Sequence, residues 1–129
     1  LVYRKCLFTS LVGKDKNNNF SAGNVSFEVN ARTNWHTHPK EQVLLIIDGE
    51  GLYQEKGKPA KQIRKGDVIN IPENIEHWHG ASSTSQMTHI AITNYEGDNQ
   101  VNWLQPVQQM NTAPQINSYE LIGYSCTKV

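Results

Sequence analysis

Between Val25 and Leu104 the chain is cut into short apolar stretches by turn signals. These signals recur roughly every 8 to 12 residues, the spacing of a β-sandwich or barrel. Val25, Phe27 and Val29 alternate with Ser26, Glu28 and Asn30, the period-2 signature of a half-buried strand. Thr33 to His38 alternates again. Val43–Ile47 is a continuous run of β-branched residues and Leu, too short for a helix and expected to end at Asp48-Gly49-Glu50-Gly51. Leu52–Glu55 and Lys61–Arg64 read as a hairpin around Gly57. A strand over Val68–Ile71 is bounded by Gly66-Asp67 and Pro72. Further strands are expected at His77–His79, Met87–Thr93 and Val101–Leu104, and an earlier apolar stretch runs from Val2 to Val12. No long 3.6-residue periodicity competes with this pattern, so the fold is expected to be all-β.

A chain of 129 residues supports one domain with a real core. We expect an N-terminal strand and loop region over 1–24, a barrel over 25–108 and a C-terminal extension over 109–129. Within the extension, Tyr119–Ile122 and Tyr124 are candidates for an edge strand or a partner contact. The Lys/Asn-rich stretch from Gly13 to Asn19 reads as a solvated loop. Twelve basic residues balance twelve acidic ones. That argues against nucleic acid or an anionic membrane as partner, since both need a basic excess. No apolar run approaches the ~20 residues of a membrane span. Cys6 and Cys126 lie near opposite ends with no Cys-x-x-Cys spacing. Two free thiols are the expectation, a disulfide requiring an oxidising compartment and termini that meet. The cytoplasm is the favoured compartment, although a chain beginning at Leu1 leaves a removed leader open.

All five histidines lie between positions 36 and 89. His36 and His38 stand two apart on an expected strand, so both imidazoles share a face. His77 and His79 repeat that geometry, and His89 lies on a further strand with Met87 and Ala91. Trp35 and Trp78 have the opposite parity and are expected to pack between sheets or at a contact. Neutral imidazoles converging inside a barrel would make a transition-metal site.

The spacing resembles the cupin family. Asn30 to Gly49, with His36, His38 and Gln42, is similar to the first cupin motif, G-x5-H-x-H-x3,4-E-x6-G. Gly66 to His77, with Pro72 and Asn74, is similar to the second, G-x5-P-x-G-x2-H. Asn30 and Asn74 replace glycines, and Asn is the residue best able to do so at a left-handed turn. Gln42 stands where the motif has Glu, with Glu41 on the opposite parity, and Ala81 stands where the second motif ends in Asn.

The resemblance implies a double-stranded β-helix, or jelly roll, and a homodimer. Trp35–Pro39, Gln42, His77–Ala81, Thr88–Ala91 and Val101–Val107 narrow it to small bacterial single-domain cupins. That subgroup is often labelled carboxymuconolactone-decarboxylase-like and includes the manganese-dependent hydroxynitrile lyases. Their ligand set carries over to His36, His38, Gln42 and His77, with His89 as general base and His79 as a second pocket residue. Phe27, Leu44, Ile46, Met87 and Ala91 are expected to line a pocket for a small molecule with an apolar body and one metal-seeking group. The implied cofactor is a divalent transition metal, Mn first, with Fe, Zn, Ni or Co as alternatives. Three neutral His and a neutral amide leave its charge uncompensated, which favours Lewis-acid chemistry. An Fe-dependent dioxygenase and a non-catalytic small-molecule-binding cupin are the alternatives, and fold alone does not separate them.

Overall fold

The computed structural model describes residues 2–107 and 122–124. Its strands are β1 (Val2–Arg4), β2 (Cys6–Val12), β3 (Phe20–Phe27), β4 (His36–Thr37), β5 (Gln42–Glu55), β6 (Lys61–Arg64), β7 (Val68–Ile71), β8 (His77–Ala81), β9 (Met87–Asn94), β10 (Asn102–Trp103) and β11 (Ile122–Tyr124). One sheet runs β7-β5-β9-β3-β2 and the other runs β6-β5-β8-β4-β10. All these pairings are antiparallel. β5 belongs to both sheets: residues 42–49 pair with β9, and residues 51–55 pair with β8.

That sharing corrects the expected strand end at Asp48–Gly51. The register shifts between Ile46 and Asp48, and Gly49 takes φ +74°. A bulge plus a left-handed glycine bends the strand instead of ending it. Gly49 also lies against the Gln86 carbonyl, where a Cβ would collide. The strand expected from Val25 to Asn30 begins at Phe20 and stops at Phe27, leaving Val29 exposed. Of Thr33–His38, only His36–Thr37 is strand. The hairpin around Gly57 (φ +82°), the turn at Gly66 (φ +97°) and the stop at Pro72 are where the sequence placed them. Asn30 and Asn74 take φ +67° and +61°, the conformation that glycine serves at these motif positions.

Short β1 and β11 pair in parallel; the remainder of the expected 109–129 extension lies outside the described residues. Cys6 is disulfide-bonded, which corrects the expected free thiol; Cys126 lies outside the described residues.

The interior combines an apolar cluster with buried imidazoles. Val25, Phe27, Leu44, Ile46, Tyr53, Ile63, Ile71, Met87 and Ala91 form the core. Each large apolar side chain there contributes about 1.5–3 kcal/mol by leaving water. Trp78 faces the other way, as its parity requires, yet is fully buried. The Arg32 guanidinium covers it at 4.7 Å from the ring centroid, and its indole N–H donates to Gln54 Oε1 at 2.8 Å. Trp35 is half-buried under Lys56. Residues 31–33 lie along β8: Thr33 N–H donates to the His79 carbonyl, and Ala81 N–H to the Ala31 carbonyl. Gly80 permits that approach, since a Cβ there would strike the Ala31 carbonyl.

Candidate metal centre

Two short strands bring the first imidazoles together. His36 on β4 is the direct register partner of His77 on β8, so their side chains share the concave face. Their ring centroids are 4.2 Å apart, and His38 lies 5.0 Å from His36 and 5.3 Å from His77. His79 follows two residues along β8, 5.3 Å from His36. The opposite sheet supplies Gln42 at the start of β5 and His89 on β9, opposite Ile46. All six side chains are buried.

Hydrogen bonding fixes which atom each presents. The Nδ1–H groups of His36, His38 and His77 donate to the carbonyls of Asn34 (2.8 Å), Gln100 (2.6 Å) and Ile75 (2.8 Å). A carbonyl only accepts, so each Nδ1 carries the proton and each Nε2 keeps a free lone pair. All three Nε2 atoms are buried without a protein partner. Gln42 Nε2 donates to Thr93 Oγ1 at 2.8 Å, leaving Gln42 Oε1 buried and unpartnered. Buried acceptors without a donor are costly, and a divalent cation is a species that can satisfy such lone pairs. The donor set therefore fits a borderline metal taking nitrogen and oxygen ligands.

His79 is a second candidate for the same shell. The ligand atoms of His36, His77 and His79 lie within 4.8 Å of one another, and His79 Nε2 is also unpartnered. Its Nδ1 is 3.0 Å from His89 Nε2, so one proton is shared along that line. His89 Nδ1 has no partner.

Burial dominates the electrostatics. It lowers the proton affinity of His36, His38, His77, His79 and His89. His77 falls to about 4 and His89 to about 3. Neighbouring imidazoles lower His36 and His79 further, whereas the Gln100 carbonyl partly restores His38. All five are neutral at pH 7, the form that ligates metal. Glu55, opposite His77 in register, is held below the usual carboxylate range by the Tyr53 hydroxyl and by Lys58.

Among the expected lining residues, Phe27 touches the centre, its ring 5.3 Å from His89 and 6.0 Å from His79. Leu44, Ile46 and Met87 sit in the adjoining core cluster. Ala91 opens onto a cavity of about 270 Å³ together with Phe8, Ser10, Lys14, Tyr95 and Gln100. Those five were missed because they come from the edge strand and from loops, where parity says nothing about depth. Trp103, register partner of His36 with its ring at 4.7 Å, was likewise passed over. Removing the Gln42 tether should loosen the site: Thr93→Val is expected to weaken metal affinity about 10–100-fold, read by competition with a chromogenic chelator. Unchanged affinity would mean that Gln42 needs no such support.

Two bent antiparallel sheets sharing one strand, closed over buried imidazoles and an amide, define a double-stranded β-helix with a candidate metal centre. The chain belongs to the cupin family: the family model described as a cupin domain matches residues 23–93, more than half of it. It is 42% identical to a cupin-like protein from Thermotoga maritima whose crystal structure superposes with a TM-score of 0.76, covering 81% of this chain and 79% of that one. It is 40% identical over 87 residues to an (R)-mandelonitrile lyase of Granulicella tundricola, covering 67% of this chain and 66% of that protein. An acireductone dioxygenase of Bacillus cytotoxicus is 30% identical over 61 residues, 44% of this chain and 36% of that protein. The match thus spans about two thirds of the lyase's length and about one third of the dioxygenase's. Among the described residues, no helix is long and apolar enough to cross a membrane.

Proposed function

We propose that the chain is a metal-dependent enzyme acting on a small organic molecule, with lyase chemistry of the hydroxynitrile-lyase type. His36, His38, Gln42 and His77 would hold the metal, manganese being the first choice. The observation that carries this reading is the matched set of tautomers, in which four side chains each spend one polar atom on a fixed partner and leave the other bare and buried. The similarity to the mandelonitrile lyase supports the choice of reaction. When bound, the cation supplies Lewis acidity toward a hydroxyl or carbonyl oxygen.

The chain's own residues account for the rest. A neutral shell of imidazoles and an amide leaves that acidity undiminished. His89 Nδ1, unpartnered and beside Phe27, takes the hydroxyl proton of a cyanohydrin. The C–C electron pair leaves with cyanide, which then receives the proton, so aldehyde and hydrogen cyanide are the products. His79 orients His89 through their 3.0 Å hydrogen bond.

The test is cleavage of (R)-mandelonitrile, followed by benzaldehyde absorbance. The wild-type chain should turn over, and His89→Ala should lose about 10²–10⁴-fold, the usual contribution of a general base. A fully retained rate in His89→Ala removes its role as base. The similarity to an acireductone dioxygenase favours a second reading, oxygen-dependent chemistry with iron, which oxygen uptake over a substrate panel would reveal. A binding protein without turnover is the third. A homodimer remains part of the proposal, and the disulfide at Cys6 weighs against the cytoplasm as its compartment.

A further inference from the structure

Register partners across the β2-β3-β9-β5 sheet fall into rows on its concave face. Phe8, Val25, His89 and Ile46 form one row, Ser10, Gly23, Ala91 and Leu44 the next, and Ser21, Thr93 and Gln42 a third. The 270 Å³ cavity touches Phe8, then Ser10, Gly23 and Ala91, then Ser21. It therefore occupies the same three rows as His89 and Gln42, shifted toward β2. Ala91 lies two residues from both His89 and Thr93, on their face of β9. Gln100 belongs to both places: its carbonyl holds His38, and the residue is part of the cavity wall. Among the residues that line the cavity, Ala91 and Gln100 also neighbour members of the imidazole centre, which itself does not line it.

Its wall has one sign of charge. Among the described residues that line it, Lys14 is the single cation, and there is no carboxylate. The Lys14 side chain is only 27% exposed and lies over the Tyr95 ring. Its ion-pair partner Asp98 is 3.7 Å away and fully exposed. A pair so long and so wet contributes little. A largely covered ammonium with so weak a partner is available to a second anion in the cavity.

We propose that this cavity takes the body of a small carboxylate, its anionic group paired with Lys14. The volume suits a compact ring or short chain, with Phe8 and Ala91 against its apolar part. The inference rests on reading the centre as one that acts on a small molecule, but not on which bond is broken.

Calorimetric titration with benzoate and with benzamide tests it, on metal-loaded and metal-free protein at fixed ionic strength. Benzoate should bind more tightly than benzamide. Lys14→Met should weaken benzoate at least ~10-fold while leaving benzamide within about twofold. Equal benzoate affinity in wild type and Lys14→Met overturns the proposal, as does absent benzoate binding or a preference for benzamide. Lys14-dependent binding by protein that takes up no metal would uphold this inference and sink the metal-enzyme reading. Intact metal with Lys14-independent binding would do the reverse.

Discussion

The metal-free chain is expected to unfold between about pH 4 and 6, in a transition that takes up several protons at once. Five imidazoles sit in the interior with their proton affinity lowered, first of all by burial. An unfolded histidine titrates near 6.5. Between that value and the lower folded one, the unfolded chain binds more protons, so stability falls as pH falls. The contribution is complete above about 6.5 and drains away through the range that ends near 4 for His77 and near 3 for His89. Each such group is worth about 1.4 kcal/mol per pH unit, so His77 and His89 alone remove about 3 kcal/mol per unit, and the lowered affinities of His36, His38 and His79 add to that slope. A domain's whole stability is about 5–15 kcal/mol, a range that two units at that slope already enter. Circular dichroism against pH, with chelator present, gives the midpoint and the proton count. A chain still folded at pH 4, or a slope of a single proton, would contradict the burial of the cluster. Added manganese should push the midpoint lower, since the metal competes with protons for the same lone pairs.

The second large effect is on metal content. Protein purified without chelator should carry about one divalent ion per chain. His36→Ala and His77→Ala should weaken binding by well over the ~100-fold typical of an outer partner, leaving almost none after gel filtration. Both ligand sets that the geometry allows need these two residues. His38→Ala and His79→Ala separate the sets. Loss in the first and retention in the second supports the shell of His36, His38, Gln42 and His77. The opposite pattern supports the trio of His36, His77 and His79, whose ligand atoms lie within 4.8 Å of one another. Full metal content in all four variants would refute the centre altogether.

Much of the architecture was legible because strand signals are local. Short apolar runs and alternation placed β7, β8 and β9, Gly66 and Pro72 bounded β7, and Gly57 marked the β5–β6 hairpin. Asn30 and Asn74 were readable as glycine substitutes, since few other residues tolerate positive φ. What local reading misjudged was Asp48–Gly51. The same residues that end a strand in one context bend it in another, and only the partners Met87 and Arg64 decide between them. The imidazole spacing put His36 and His38 on one face, but nothing along the chain tells that His79 approaches His36 as well. Phe8 and Gln100 were invisible for a related reason. Their place in the cavity follows from which strand lies at the sheet edge and where a loop returns, and neither is written in a period. The thiol at Cys6 was misjudged from how commonly disulfides occur, a quantity that carries no information on distance.

Strand β5 has a consequence for how the molecule comes apart. Every neighbour it has, from β6 to β9, depends on it for at least one ladder of hydrogen bonds. Peeling one sheet away would strip the other of its central member, so no stable half-barrel should exist. Amides on both sides of Gly49 are then expected to exchange with solvent at one common rate, set by global opening. Gln42 hangs from one end of that strand, and Glu55, at the other end, pairs with His77. Loss of the cation-binding geometry and loss of the fold should therefore be a single event.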